Sequence, residues 1–193
     1  MISPSAQVQY EVFVLKDFSR LYHVKEMVTL SQEPLLLRVL QIEEESFSVP
    51  WTTAEFQLAA ADVRAVNLGL WRGERLAGYA IAFDEAGELH LASLAIEESH
   101  RRQGWGSHLL RQVLARAAER GCRSCRLEVR ESNRPALELY RRHAFEVTGA
   151  KRRFYTGPVE DAVVMVRQLS SPCPEVDGGP TSCKLEPGGE TWR

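Results

Sequence analysis

The sequence of 193 residues predicts an α+β domain built around a mostly antiparallel β-sheet. Three successive segments, at 64–71, 75–83 and 88–96, have the residue pattern of strands and are joined by short, turn-like links. Because links of this length join antiparallel neighbours, the three segments predict a meander. Apolar residues then recur at helical spacing over 105–120, and Gly121 ends that segment. Helices and sheet therefore share one domain.

Before the meander, the sequence predicts one strand and two helices. A strand at 24–30 is followed by Ser-Gln-Glu-Pro, which is typical of a helix start, and this helix runs to about Phe47. The segment Val-Pro-Trp-Thr at 49–52 ends it. One of two adjacent threonines, at 52 and 53, can then cap a second helix that runs to about Ala61.

After the long helix, the pattern returns to strands. Residues alternate between apolar and polar over 125–129, as in a half-buried strand. Asn133 is a good cap for a helix that runs to about His143. Two last strands, at about 145–155 and 162–169, complete the domain.

The predicted domain covers residues 23–169 and lies between two dissimilar ends. Residues 1–22 form an N-terminal extension to which the pattern assigns no structure. Residues 170–193 are rich in proline and glycine and cannot bury enough apolar surface to offset the entropy lost on ordering. We therefore expect a disordered C-terminal tail.

Composition and charge exclude several classes of protein. The chain is 44% hydrophobic and 26% charged, as globular proteins commonly are, and its formal net charge is -2. It therefore has no overall positive field to hold nucleic acid or an acidic membrane surface. Because no basic leader with an apolar run and no stretch near the roughly 20 apolar residues of a membrane span occurs, we expect a cytoplasmic protein.

The four cysteines predict reduced thiols rather than a disulfide framework. Cys122 and Cys125 are close in sequence, whereas Cys173 and Cys183 lie in the proline-rich tail. This spacing does not give two matched metal-binding pairs. We expect no metal site.

The most informative segment is the turn at 101–106, between the third strand of the meander and the long helix. The N-terminus of a helix carries unpaired backbone N–H groups and a partial positive charge, so it binds phosphate without a large basic patch. Gly104 and Gly106 would let a phosphate approach the backbone, and Arg101 and Arg102 would add cationic donors. The alternative is a glycine-containing loop beside two solvated arginines.

The pattern Arg101-x-x-Gly104-x-Gly106 between a strand and a helix resembles the coenzyme A-binding signature of the GNAT acetyltransferases. It matches neither the dinucleotide fingerprint nor the phosphate loop of nucleotidases. Within that family, the RimI group acetylates the N-termini of bacterial ribosomal proteins. Segments similar to that group are 42–51, 127–133, 136–140, 153–155 and 161–165.

The resemblance covers about 25 to 169 and implies a fold and an activity. The fold is an α/β/α sandwich with a mixed, mostly antiparallel sheet of about six to seven strands and about four helices. The activity is acetyl transfer from acetyl-CoA, without a metal, to a protein N-terminus, namely the N-terminal alanine of a small-subunit ribosomal protein. Two alternatives remain open: a relative that acetylates a lysine, polyamine or other small amine, and a non-catalytic module that binds coenzyme A.

The resemblance also implies two catalytic residues, Glu128 as general base and Tyr140 as general acid. A model α-amine titrates near about 8 and a lysine near about 10.4, so an N-terminal substrate demands less of a carboxylate base. The alternative for Glu128 is a solvent-facing carboxylate paired with Arg126 or Arg130. The alternative for Tyr140 is a core residue on an apolar helix face.

The resemblance places the cofactor along the end of the third meander strand and the following turn. The backbone at 94–96 would bind the pantetheine arm as an added strand does and donate to the thioester oxygen. Asn133 would cap its helix and also contact that arm. The predicted cofactor contacts are Ser93, Leu94, Ala95, Ile96, Arg101, Arg102, Gln103, Gly104, Trp105, Gly106 and Asn133.

The predicted substrate contacts lie on two opposite walls, with Pro50 and Trp51 on one and Tyr155 on the other. For Tyr155, a core position is the alternative. Four histidines have neither metal-ligand spacing nor an obvious serine or cysteine partner, and we interpret them as ordinary surface or core residues. They are His90, His100, His108 and His143.

Overall fold

The computed structural model describes residues 22–27 and 30–169. The predicted disordered tail and most of the predicted N-terminal extension lie outside the described residues, so those predictions remain untested. In the described ranges, no helix is both long enough and apolar enough to cross a lipid bilayer.

A single seven-stranded sheet forms the centre of the fold. In chain order, its strands are β1 (Tyr22–Glu26), β2 (Ala65–Arg72), β3 (Arg75–Glu85), β4 (Glu88–Ile96), β5 (Ser124–Arg130), β6 (Glu146–Thr156) and β7 (Val159–Gln168). They lie in the order β1-β2-β3-β4-β5-β7-β6, and the one parallel pair among them is β4 with β5. This sheet confirms the predicted mixed, mostly antiparallel architecture.

Four α-helices occur in the described part of the chain and confirm the expected number. They are α1 (Glu33–Ser46), α2 (Thr53–Ala61), α3 (Trp105–Glu119) and α4 (Arg134–Arg142). Thr52 caps α2, because its hydroxyl accepts a hydrogen bond from the backbone N–H of Glu55 at 3.3 Å. Asn133 caps α4 in the same way, accepting from the N–H of Ala136 at 3.2 Å.

The first strand differs from its prediction at 24–30. β1 begins at Tyr22 and ends at Glu26, since it pairs with β2 from Tyr22 opposite Arg72 to Glu26 opposite Leu68. Tyr22 is buried, and its ring stacks on Trp105 with 3.9 Å between ring centres. A contact with a residue so distant in sequence gives no local signal, so the pattern alone placed the strand too late.

The two faces of the sheet bury separate apolar cores. One core packs α3 and α4 against the sheet, and the other packs α1 and α2 against the opposite face. A β-bulge in β4 decides which face each of its residues joins, because Leu91 pairs with Ala82 and Ser93 with Ile81, which leaves Ala92 as the extra residue. Before the bulge, Leu91 packs on the α3 side, and after it Ala95 packs on the α1 side.

The sheet opens between its two parallel strands. β4 pairs with β5 from Glu88 to Leu91, and the pairing stops there although β4 continues to Ile96. On its other side, β5 pairs with β7 along its whole length, from Ser124 to Arg130. The end of β4 therefore presents an open backbone edge beside the start of α3, where an extended ligand can add as a strand does.

Candidate active site

The turn at the start of α3 has the backbone geometry of an anion site. Gly104 is the N-cap of α3 and has φ of 86°, a left-handed conformation that favours glycine. Among the described residues, no atom lies within 4 Å of a Cβ built on Gly104, so the requirement for glycine is conformational rather than steric. Gly104, Gly106 and Ser107, at the start of α3, border a cavity, so the unpaired N–H groups of this helix end lie beside it.

The two arginines of this turn have different surroundings. Arg101 Nε donates to the carbonyl oxygen of Ile96 at 2.7 Å, and a terminal nitrogen donates to Ser46 Oγ at 2.9 Å. Its side chain thus joins the turn to the end of β4 and to α1. Arg102 has φ of 62° and lines the cavity beside the turn. Gln103 donates to the carbonyl oxygen of Ser99 at 3.1 Å.

The buried carboxylate of Glu97 holds the start of the turn through ion pairs. Glu97 lies 2.7 Å from Arg38, 2.7 Å from Arg75 and 3.1 Å from His100. Burial would raise the pKa of Glu97, but Arg38 above all, with help from Arg75 and His100, lowers it below the usual value. The ion pairs therefore fix the chain where it leaves β4 for the turn.

A cavity of about 630 Å³ lies between the end of β4, the turn and α4. This volume is in the range of about 300–1,000 Å³ that small-molecule sites occupy. The predicted cofactor contacts that line it are Leu94, Ala95, Ile96, Arg101, Arg102, Gly104, Gly106 and Asn133.

Three predicted cofactor contacts are not part of that lining. The hydroxyl of Ser93 lies on the other face of the sheet, 3.1 Å from the hydroxyl of Tyr79, because the bulge in β4 turns it there. The ring of Trp105 packs on Tyr22. Gln103 is engaged with the backbone of the turn.

Glu128 lies on β5 just beyond the point where β4 and β5 separate, and its side chain is 6% exposed. Its Oε2 is 2.7 Å from His90 Nε2, and its Oε1 is 2.8 Å from Lys151 Nζ and also contacts Arg126. Burial would raise the pKa of Glu128, but the hydrogen bonds from His90 and Lys151 and the charge of Arg126 lower it to about 2. Glu128 is therefore an ionised, enclosed carboxylate, not the solvent-facing one that the alternative described.

The sequence reasoning named Arg126 as a possible partner of Glu128, which the structure shows, but it missed two others. His90 was interpreted as an ordinary histidine, yet it contacts this carboxylate, and Lys151 reaches it from β6. Likewise His143 Nε2 has a serine partner, since it lies 2.5 Å from Ser107 Oγ at the cavity wall. No local spacing signals these contacts, because each one joins different strands or helices.

Tyr140 lies on α4, at the core position that the alternative described. Its side chain belongs to the core on the α3 side, and its ring meets Phe145 edge to face at 5.6 Å. Within the described residues, its hydroxyl makes no hydrogen bond. Burial raises the pKa of Tyr140, and the neighbouring Cys125 and Tyr155 raise it further. The phenol is therefore protonated at neutral pH and can donate.

The two predicted substrate walls come from the segment after α1, with Pro50 and Trp51, and from the end of β6, with Tyr155. The backbone N–H of Trp51 donates to the buried carboxylate of Glu43 at 2.9 Å, and Pro50 beside it is exposed. Opposite, the ring of Tyr155 lies under the guanidinium of Arg130 at 4.1 Å. Burial raises the pKa of Tyr155 to about 12 although Arg130 opposes this.

Arg130, on the strand that carries Glu128, makes hydrogen bonds to the segment after α1 and to the β6–β7 loop. One terminal nitrogen donates to the carbonyl oxygen of Pro158 at 3.1 Å and lies 3.2 Å from a carboxylate oxygen of Glu160. The other donates to Ser48 Oγ at 3.1 Å and to the carbonyl oxygen of Gly157 at 3.0 Å. The side chain of Arg130 therefore holds both the turn after α1 and the β6–β7 loop. The sequence analysis had given Arg130 only as a possible partner of Glu128.

The acetyltransferase (GNAT) family model matches residues 36–145. The chain belongs to this family. The match includes the open edge of β4, the turn at 101–106 and α4, which together form the cavity. The GNAT fold predicted from the resemblance is confirmed, and the protein is an N-acetyltransferase.

Individual relatives agree with this assignment. The chain is 30% identical over 131 residues to the ribosomal protein bS18-alanine N-acetyltransferase of Escherichia coli strain K12, covering 67% of this chain and 88% of that one. The crystal structure of the ribosomal-protein-S18-alanine N-acetyltransferase from Escherichia coli matches with a TM-score of 0.71 and 26% identity, over 80% of this chain and 98% of that chain. The NAA60 structure from Arabidopsis thaliana in complex with acetyl-CoA shares the fold with a TM-score of 0.67 and 19% identity, over 77% of this chain and 99% of that chain.

The donor in GNAT acetyltransferases is acetyl-CoA, and the cavity suits it. The open edge of β4 can pair with an extended pantetheine arm, and the N-terminus of α3 can bind a pyrophosphate. No cluster of His, Cys, Asp or Glu in the described ranges has the arrangement of a metal site.

Proposed function

We propose that this protein transfers the acetyl group of acetyl-CoA to the N-terminal α-amine of a protein in the cytoplasm, and that the target is the N-terminal alanine of a small-subunit ribosomal protein. The observation that carries the proposal is the buried, ionised Glu128 at the point where β5 separates from β4, the strand whose open end lines the cavity. The name of the 30%-identical relative supports the choice of target.

The cofactor would lie along the open edge of β4 with its pyrophosphate on the N-terminus of α3. Bound there, acetyl-CoA supplies an activated thioester. The backbone at 94–96 would donate to the thioester oxygen, Gly104 would expose the first N–H groups of α3, and Arg102 would add charge. Asn133 faces the same cavity from the start of α4.

Glu128 would guide and orient the substrate amine. With the pKa of Glu128 at about 2 and that of an α-ammonium group near about 8, direct transfer of the proton is uphill by roughly 8 kcal/mol. Direct transfer and relay through a bound water molecule both end with the proton on Glu128, so both routes carry this cost. A carboxylate this acidic therefore attracts the ammonium group and orients the amine that remains once the proton has passed to bulk water, a loss that costs roughly 1.4 kcal/mol at pH 7.

Tyr140 would protonate the leaving thiolate. Its raised pKa keeps the phenol protonated at neutral pH, and its hydroxyl has no competing hydrogen-bond partner among the described residues. A buried donor of this kind is suited to a sulfur on which negative charge develops.

Charges near Glu128 favour an N-terminal amine over a polyamine or lysine. A polycation requires a strongly acidic cleft, whereas the carboxylates around Glu128 are matched by Arg126, Lys151 and Arg130. An α-amine also asks less of a weak base than a lysine does.

A peptide assay tests the proposal. The protein is incubated with acetyl-CoA and either an alanine-led peptide that contains one internal lysine or the same peptide with a blocked N-terminus, and the products are mapped by mass spectrometry. We expect acetylation of the free α-amine alone. Acetylation of the lysine in both peptides would support the alternative acceptor, and binding of acetyl-CoA without turnover on any amine would support the non-catalytic module.

A further inference from the structure

His90 contacts Glu128 from a neighbouring strand. It lies on β4 in register with Arg126 of β5, and Glu128 is two residues further along β5 on the same face of the sheet. Its Nε2 is 2.7 Å from Glu128 Oε2, and its ring is largely buried. His90 is thus next to the candidate base and close to the end of the β4–β5 pairing.

The two oxygens of Glu128 are held in different ways. Oε1 receives both Lys151 and Arg126, whereas in the described part of the chain Oε2 receives His90 alone. An ionised carboxylate can only accept, so Nε2 of His90 carries the proton of this hydrogen bond. Nδ1 lies 3.6 Å from Glu85 Oε1, too far for a second hydrogen bond.

We propose that His90 is a positioning residue for the acetyl transfer, and that its Nε2–H fixes the plane of the Glu128 carboxylate. Contacts at Oε1 alone hold one oxygen but leave Oε2 free to swing about it as the side-chain torsions change together. The contact at Oε2 removes that freedom, so the carboxylate meets the incoming amine in one orientation. This inference rests on the proposed function, in which Glu128 guides the amine.

The expected effect is on turnover rather than on substrate binding. Without the Nε2–H donor, Lys151 and Arg126 still hold Oε1, so the charge of the site and its shape remain. The orientation of the carboxylate is lost, and a misplacement of about 1 Å in a reacting group costs up to about 100-fold in rate.

Two substitutions separate the two ring nitrogens. The amide nitrogen of glutamine reaches the position of Nε2, whereas that of asparagine reaches only the position of Nδ1. We expect His90→Asn to lower kcat by about 10- to 100-fold with little change in KM for an alanine-led peptide, and His90→Gln to restore most of kcat. His90→Ala should behave like His90→Asn, and Glu85→Gln, on the Nδ1 side, should leave kcat unchanged.

A second readout requires no substrate. In ¹³C NMR titrations of the side-chain carboxyl groups, His90→Asn and His90→Ala should raise the pKa of Glu128 because they remove a hydrogen bond to the ionised form, whereas His90→Gln should not. Calorimetric binding of acetyl-CoA shows which variants are folded.

These measurements distinguish failure of the inference from failure of the proposed function. If the wild-type protein acetylates no amine, the function is wrong, and the titration still decides whether His90 holds Glu128. Three results would each overturn the positioning role. The first is equal kcat values for His90→Asn and His90→Gln, and the second is a change confined to KM. The third is a pKa of Glu128 that stays the same when the donor at position 90 is removed.

Discussion

The two sides of the candidate active site are built in different ways. The cofactor side is one continuous stretch, from the open edge of β4 through the turn at 101–106 into α3, and it offers mainly backbone groups. The amine side is an assembly of side chains: His90 from β4, Glu128 from β5 and Lys151 from β6. The first depends on backbone conformation, and the second depends on contacts between separate strands.

This difference predicts different sensitivities. A backbone anion site tolerates most side-chain changes and is damaged mainly where a residue must take a special φ. A cluster of buried charges is interdependent, because removal of one partner leaves the others unpaired in a poorly solvated place. Substitutions on the amine side should therefore have the larger effects.

The largest effect is expected for Glu128→Gln. It should lower kcat by about 100-fold or more, as loss of a general base or orienting carboxylate does, while acetyl-CoA binding persists. Glu88→Gln is the matched control, because Glu88 contacts Arg126 at 3.0 Å without touching the amine side. Steady-state kinetics with calorimetry check both variants. Comparable losses in the two would mean that only the charge network matters.

The next effect is expected for Tyr140→Phe, at about 100-fold in kcat. The described residues offer no hydrogen-bond partner to the Tyr140 hydroxyl, so its removal should not lower the melting temperature. Tyr155→Phe is the control and should change KM for the peptide more than kcat. Full turnover in Tyr140→Phe would remove the acid from the mechanism.

Acid should remove the stabilisation that Glu128 provides. Its pKa is lowered from 4.5 to about 2 in the folded protein, so the ionised form stabilises the fold above about pH 4.5, and this contribution is lost as the pH falls towards 2. The shift corresponds to about 3 kcal/mol. Urea unfolding of wild type and Glu128→Gln from pH 6 to 2 should show their difference shrinking by that amount, and a constant difference would contradict it.

A smaller effect is expected for Arg130→Lys. Lysine keeps the charge but cannot bridge the loop carbonyls and Ser48 at once, nor stack on Tyr155. Because Arg130 would hold the walls of the proposed peptide site and does not line the cavity proposed for the cofactor, KM for the peptide should rise about tenfold while KM for acetyl-CoA stays constant. An equal rise in both KM values would place Arg130 in general stability instead.

The smallest effect is expected on the cofactor side, for Gly104→Ala. Alanine at a φ of 86° is strained, and the unfolding free energy should fall by about 1 kcal/mol. Gly104→Asn should cost less, because asparagine tolerates the left-handed region better. Thermal melts of both variants decide this, and an unchanged alanine variant would mean that the turn adopts another conformation.

The sequence predicted the features that depend on neighbouring residues. The spacing of Leu109, Val113 and Ala117 identified α3, and its N-cap at Gly104 belongs to a recognisable pattern. Asn133 predicted the start of α4, because a capping side chain accepts a hydrogen bond from an N–H group in the first turn, only three residues away in sequence. Similarity to the GNAT signature then supplied the fold and the activity, both of which the family match confirmed.

The tertiary structure decided the features that join separate strands. The bulge at Ala92 turns Ser93 away from the cavity, and the register of β4 against β5 brings His90 to Glu128. Pairing of this kind is set by the packing free energy of the whole sheet, which no window of sequence contains. The sequence by itself therefore determined most of the elements, the family and the turn predicted to bind phosphate, whereas the lowered pKa of Glu128 and its contacts with His90 and Lys151 exist only in the folded chain.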